Sequence, residues 1–196
     1  PDASSTGEVL FNCFSNMNWK LNLNIAICLY TAILTDTGSF RFDNTKPSTF
    51  ETAAKLVEIG VNPSDNYKKV YESDSKTLVM FQAHCVSKAK FLNDDKIAYT
   101  TVYKKDMEQF SAGDDCMEGL TEKLRAIVTT RVAFVAKEMK SGGTKISMRS
   151  KFADVAQICE VFNGGGHKFA AGCTIKAPVE EAVKKILAEI KKVKQL

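Results

Sequence analysis

The sequence has no stretch long and apolar enough to span a bilayer. Its longest candidate, residues 21–34, is interrupted by Asn22 and Asn24 and reads as a buried helix. No basic start followed by an apolar run marks a secretory leader. There are no CxxC pairs, no internal repeats and no low-complexity tract. The six cysteines, at 13, 28, 85, 116, 159 and 173, sit mostly among apolar neighbours. They read as reduced core residues rather than a disulfide frame or a zinc site, which makes a cytoplasmic compartment the expectation. A dense basic stripe is also missing. The net charge of +4 and a pI near 8.7 suit a small phosphorylated ligand at least as well as a long duplex. Much of the excess crowds the last helix, at Lys184, Lys185, Lys191, Lys192 and Lys194, where a solvated face near a helix C-terminus accounts for it.

What is present is ordinary globular material: 196 residues, 44% hydrophobic and 26% charged. The first ninety residues read as helices. Ser4-Ser5-Thr6 supply capping oxygens, and Val9, Leu10, Cys13, Phe14 and Met17 follow at helical spacing. Residues 21–34 form a second helix, ended by Thr35-Asp36-Thr37-Gly38. Pro47-Ser48-Thr49 opens a third, with Phe50, Ala53, Ala54, Leu56 and Val57 as its apolar face and Gly60 closing it. A shorter helix runs from Asn62-Pro63-Ser64 to Tyr71, and one more from Ser75 to Lys90. These helices either pack on themselves or lean against a sheet that the sequence does not contain.

Beyond Asn93-Asp94 the period changes. Strands are expected at 96–103, 131–136, 145–149 and 173–175, with a turn at Lys140-Ser141-Gly142-Gly143. Helices are expected at 116–124, 153–162 and 178–193. The chain therefore divides into a helical part, residues 1–92, and an α/β part, residues 93–196.

Asn163-Gly164-Gly165-Gly166-His167-Lys168-Phe169-Ala170-Ala171-Gly172 is the most informative stretch. Consecutive glycines allow left-handed angles and close backbone approach to a ligand. His167 can donate to a phosphate or meet a base edge, and Lys168 adds charge. Ala170, Ala171 and Gly172 keep a wall low enough for a flat ring. The bland alternative is a helix-capping turn followed by a tightly packed strand. Arg149, at a strand end, can clamp a phosphate through parallel hydrogen bonds; its bland alternative is a surface salt bridge. His84, among Phe81, Cys85 and Lys88, reads as structural.

Arg149-Ser150, a short amphipathic helix and then GGGHKFAAG resemble the hallmark of the DHH-associated domain, which lies behind the catalytic domain of DHH-family phosphoesterases. The segments 1–8 and 35–42 resemble those that follow the DHH triplet in the same family. Met117-Glu118-Gly119-Leu120 with the paired strands is similar to the bifunctional nanoRNase (oligoribonuclease) and pAp phosphatase type. The resemblance implies an α/β chain in which a helical remnant of the catalytic domain precedes a small DHH-associated domain, with a cleft between them and a hinge near Asn93.

The resemblance further implies a hydrolase with two manganese ions held by Asp and His residues. Asp36 matches the family's last metal-binding Asp. The other ligands precede the point where this sequence starts, at Pro1 and without an initiator Met, so a trimmed, processed or incomplete chain is the expectation. Within it no residue is assigned to catalysis. Arg149 and Ser150 would hold a substrate phosphate, and Gly164, Gly165, Gly166 and His167 would offer donors beside the wall of Ala170, Ala171 and Gly172. Short RNA or 3'-phosphoadenosine 5'-phosphate is the expected substrate, bound weakly and not cleaved by the chain alone. Exposed apolar helix faces would promote association, a homodimer included. Two alternatives stay open: a non-catalytic RNA-binding module like the C-terminal domain of alanyl-tRNA synthetases, or the same family acting on cyclic dinucleotides or polyphosphate.

Overall fold

The computed structural model describes residues 3–193, so Pro1, Asp2 and Lys194, which figure in the expectations above, lie outside the described residues. The chain divides into two compact units, one up to Asp74 and one from Ser75 onward.

The first unit is helical: α1 (Thr6–Asn16), α2 (Leu23–Asp36), α3 (Pro47–Glu58) and α4 (Pro63–Tyr71). Each start has a local cause. Ser5, Asn22 and Asn62 accept a backbone N–H through their side chains, and Pro47 and Pro63 occupy first helical positions. The unit packs on itself around Phe11, Leu29, Tyr30, Ile33, Leu34, Leu56 and Val61.

Spacing misjudged which faces do this. Val9, Leu10, Met17, Phe50 and Val57 are exposed, and so is Ala54. Hydrophobic recurrence identified the helices, but in α1 the buried residues are Gly7, Glu8 and Phe11. Cys13 and Cys28 are likewise exposed rather than part of a core, whereas the other four cysteines are buried.

The second unit is α/β, as expected. Its six-stranded sheet runs β1-β2-β3-β4-β6-β5. The strands are β1 (Lys90–Leu92), β2 (Ile97–Val102), β3 (Val132–Glu138), β4 (Thr144–Ser150), β5 (Gly165–His167) and β6 (Ala170–Ile175). Only β2 and β3 pair in parallel. The helices are α5 (Lys76–Ser87), α6 (Lys104–Phe110), α7 (Leu120–Arg125), α8 (Val155–Glu160) and α9 (Val179–Ile190), with a 3₁₀ turn over Asp114–Met117. The junction expected near Asn93 falls inside the β1–β2 hairpin, where Asn93, Asp94 and Asp95 all take left-handed angles. The compact unit also takes in α5, whose Phe81 and Cys85 pack with Ala98, Val102, Leu120 and Leu124.

The two sheet faces are covered differently. One carries Ile97, Tyr99, Val132, Phe134, Ile146, Met148, Ala171, Cys173 and Ile175 and packs with residues of α8 and α9. The other packs against α5 and α7 through Ala98, Ala133 and Val135. Its β4 and β6 part alternates strictly: Thr144, Ile146, Met148 and Ser150 are buried, whereas Lys145, Ser147 and Arg149 face outward. In β6, Ala171, Cys173 and Ile175 are buried while Ala170, Gly172 and Thr174 face outward. Half of one sheet face is thus left open.

Candidate functional site

The open face is organised by register. His167 of β5 lies opposite Ala170 of β6, and Ala170 opposite Arg149 of β4. Paired residues share a face, and strands are spaced by about 4.8 Å, so His167 and Arg149 flank Ala170 at roughly 10 Å from each other. One row further, Gly165, Gly172 and Ser147 form a floor of small residues. The next outward row is Thr174, Lys145 and Lys137. A concavity of about 830 Å³ takes in Gly164, Gly165, Gly172, Ser147, Lys145, Thr174 and Lys176. Arg149, Ser150, Gly166, His167, Ala170 and Ala171 are not in its lining.

Arg149 is half-buried and fixed. Its Nε donates to Glu122 Oε1 of α7 at 2.6 Å, and Nη1 donates to the Met148 carbonyl at 2.9 Å. A guanidinium carries five N–H donors, so the rest of the group remains available. Arg149 is both the salt-bridge partner that its bland alternative supposed and a donor with free capacity.

Ser150 is placed differently from expectation. Its hydroxyl donates to the Arg131 carbonyl at 3.1 Å and accepts from the N–H groups of Phe152 and Ala153 at 3.0 and 2.7 Å, and the residue is buried. It shapes the turn after β4 and offers no free donor to a phosphate. Its own N–H donates to the Phe169 carbonyl at 3.0 Å, and Val155 N–H to the Lys168 carbonyl at 2.9 Å. The tip of the β5–β6 hairpin is thereby pinned to the end of β4 and the start of α8.

The glycines separate into kinds. A Cβ on Gly164 would come within 2.8 Å of Cys173 Cα, and one on Gly166, at φ +143, within 2.5 Å of the Ala170 carbonyl oxygen. The Gly164 N–H is already bonded to the Cys159 carbonyl at 2.9 Å. These two serve close packing, as the bland alternative held. Gly165 differs, for a Cβ there would meet no atom within 4 Å. Ala171 points into the core rather than to the wall, because strand alternation sends it to the face opposite Ala170 and Gly172. His167 and Lys168 are exposed, with Lys168 Nζ 5.2 Å from the Phe169 ring centre. His84 faces Asp106, its Nε2 3.1 Å from Oδ1.

Asp36 belongs to the first unit, as the last residue of α2. It is exposed, and its carboxylate has no hydrogen bond or ion pair with the described residues. Gly38, Ser39 and Phe40 follow in left-handed angles, a concentration of sparsely populated backbone often found at functional sites. The side-chain amide of Asn44 ties the Asp36 carbonyl, at 3.1 Å, to the Ser4 carbonyl, at 2.8 Å.

Beneath Ser4 lies buried Glu8. Its carboxylate accepts from the N–H and Oγ of Ser4 at 2.8 and 2.6 Å, from Ser48 Oγ at 2.7 Å and from Thr49 Oγ1 at 3.1 Å. Burial alone would raise its pKa, but these hydrogen bonds outweigh burial and hold it below the usual glutamate value. No group of three His, Cys, Asp or Glu side chains that could hold a metal exists among the described residues. Asp36 by itself does not make a metal centre.

Sequence reading missed Glu122, Glu8, Asn44 and the Lys145–Lys176 end of the floor. The last was legible in the alternation of Lys145-Ile146-Ser147-Met148-Arg149. Two of the partners of Glu8, Ser48 and Thr49, lie forty and more residues away in the chain and left no local signal.

The second unit is thus an α/β domain with half of one sheet face open, floored by small residues and edged by Arg149 and His167. The sequence profile of the DHHA1 domain matches residues 94–195, and the chain belongs to that family. It is 32% identical over 170 residues to an uncharacterized protein of Mycoplasma genitalium, covering 86% of this chain and 51% of that one. It is 27% identical over 176 residues to the bifunctional oligoribonuclease and PAP phosphatase NrnA of Bacillus subtilis, covering 88% and 55%. A crystal structure of an exopolyphosphatase-related protein from Bacteroides fragilis superposes with a TM-score of 0.92 at 27% identity, over 98% of this chain and 57% of that one. The chain spans about half the length of the curated relatives that it matches. No described helix is long and apolar enough to cross a membrane.

Proposed function

We propose that this chain is the substrate-holding part of a phosphoesterase that hydrolyses short oligoribonucleotides, 3'-phosphoadenosine 5'-phosphate or both, in the cytoplasm. The observation that carries the reading is Arg149. Glu122 and the Met148 carbonyl occupy its Nε and part of Nη1, so the outer edge of the guanidinium is oriented before any ligand arrives. A planar donor fork so fixed suits a phosphate. The small side chains of Ala170, Ser147, Gly172 and Gly165 leave room for a nucleoside to lie on the sheet, and His167 offers a ring nitrogen on the far side. The name of the Bacillus subtilis relative supports this substrate class.

Manganese, two ions in the whole enzyme, is part of the proposal, with Asp36 as the one donor that this chain would give. The metals, when bound, would stabilise charge on the attacking and leaving oxygens. The chain's own residues bind and orient: Arg149 fixes a phosphate, and the low floor supports a flat ring. Because Asp36 is not part of a group of three or more ligating side chains among the described residues, a binding module without catalysis is the second reading.

Binding of a fluorescent RNA dinucleotide, with 3'-phosphoadenosine 5'-phosphate as competitor, tests the proposal. Affinity is expected to fall at least about tenfold in Arg149→Ala, since a charge-assisted pair contributes about 1.5–3 kcal/mol. An unchanged affinity rejects the clamp. Manganese-enhanced binding that Asp36→Ala removes favours the enzyme reading, and indifference to both manganese and the substitution favours the binding module. The chain by itself is expected to show no manganese-dependent cleavage.

A further inference from the structure

Lys145 and Lys176 stand at the end of the open face away from Arg149, both exposed and neither in an ion pair with a described residue. Asp114, the acid whose carboxyl feels the charge of Lys145 and Lys140, is already paired with Lys137. Neither Lys145 nor Lys176 is therefore neutralised by an ion pair among the described residues. Between it and Arg149 lie only small outward residues, Ser147 on β4 and Gly172 on β6. The concavity of about 830 Å³ holds this end together with Gly165, whose missing side chain leaves open space. An uncovered sheet face with unpaired cations calls for an anionic occupant.

Four residues separate Lys145 from Arg149 along β4, a distance of about 13 Å at about 3.3 Å per residue. One nucleotide advances a stacked strand by about 3.4 Å. A phosphate at Lys145 is then roughly two to four nucleotides from one at Arg149, depending on how far the strand is stretched. A mononucleotide or dinucleotide held at Arg149 does not reach.

We propose that the Lys145–Lys176 groove is a second anion subsite that takes an internal phosphodiester of a short single-stranded oligonucleotide. It adds affinity only for chains of about three nucleotides or more. The inference rests on the reading of Arg149 as a phosphate clamp, and it assigns to the two lysines a role in selecting substrate length.

The test is fluorescence anisotropy with a labelled RNA dinucleotide and a labelled RNA pentanucleotide, at several salt concentrations, on the full chain and on Lys145→Ala/Lys176→Ala. Two single-strand phosphate contacts account for a slope of about 1.4 in log affinity against log salt, at roughly 0.7 each. The pentanucleotide is expected to bind about tenfold more weakly to the double variant at low salt, with its slope reduced by about that amount. The dinucleotide should bind as before. Lys145→Glu/Lys176→Glu should widen the gap, and melting curves matching the parent chain would show that both variants fold.

Equal losses for the two probes would replace the subsite with a general field effect and overturn it. Unchanged pentanucleotide binding overturns it too, while leaving the Arg149 clamp intact. If the parent chain binds neither probe, the clamp reading falls and the subsite with it.

Discussion

A carboxylate taken out of water is costly unless its oxygens are satisfied, and Glu8 meets that requirement with partners from two segments. Ser4 and Glu8 sit at the start of α1, while Ser48 and Thr49 come from the start of α3, forty and more residues away. The Ser4 N–H can only donate and the three hydroxyls are placed to donate, an arrangement that favours the ionised form. The lowered pKa of Glu8 therefore means stability that is fully present above the unfolded-state value, about 4.3, and lost as pH falls through the lower folded value. Trp19 is the single tryptophan and packs edge-on against Phe14 in the same unit, with ring centres 5.5 Å apart. Its fluorescence should report an unfolding free energy that is flat from pH 7 to about 5 and declines below. Glu8→Gln should cost about 2 kcal/mol at pH 7, because an amide leaves donors facing donors. It should also shrink the acid decline. An acid decline of the same size in this variant would mean that other carboxylates govern it.

At the scale of elements, the glycine segment gave the clearest sequence signal, yet it combines two purposes that a pattern cannot separate. Gly164 is required by Cys173 and Gly172, and Gly166 by Ala170 and Ala171, all within the same hairpin. Gly165 is required by nothing in the protein. Gly164→Ala is accordingly expected to destabilise by about 3 kcal/mol, the upper range for overpacking a closed site. Gly165→Ala should change stability by less than about 1 kcal/mol and weaken nucleotide binding instead. Paired denaturation and binding curves check both, and a Gly165→Ala chain that binds normally would remove the floor from the site.

Helices and most strands were legible because capping residues, Pro at first turns and β-branched runs act locally. Ser5, Asn62 and Pro47 each appear where the sequence placed a start. The three-residue β1 and the seven-residue α6 were not foreseen, being too short for a periodic signal. Tertiary choices were also hidden. Whether Val9 or Phe11 points inward, and whether Ser150 serves a ligand or a turn, depends on partners remote in sequence.

For the whole molecule, the exposed apolar side chains of the helical unit set the solution behaviour. Val9, Leu10, Met17, Trp19 and Leu23 are each at least 42% exposed, and they fall in α1, at the start of α2 and in the link between them. Surface of this kind favours association. Sedimentation velocity is expected to show concentration-dependent self-association of the full chain, reduced by Leu10→Lys together with Met17→Lys. A strictly monomeric parent chain across the micromolar range would count against it. Residues 75–193, by contrast, have two apolar clusters of their own on the two faces of the sheet.

The alternation along β4 and β6 has a further result for how this protein tolerates change. Two texts are interleaved on the same strands, one spelling the core and the other the open face, at alternate positions. Substitutions can revise either text without touching the other, so the open face is free to drift while the fold persists. Insertion or loss of a single residue between 145 and 149 or between 170 and 174 exchanges the two readings at once. Variation in such a hairpin should then be rich in replacements and nearly empty of changes in length.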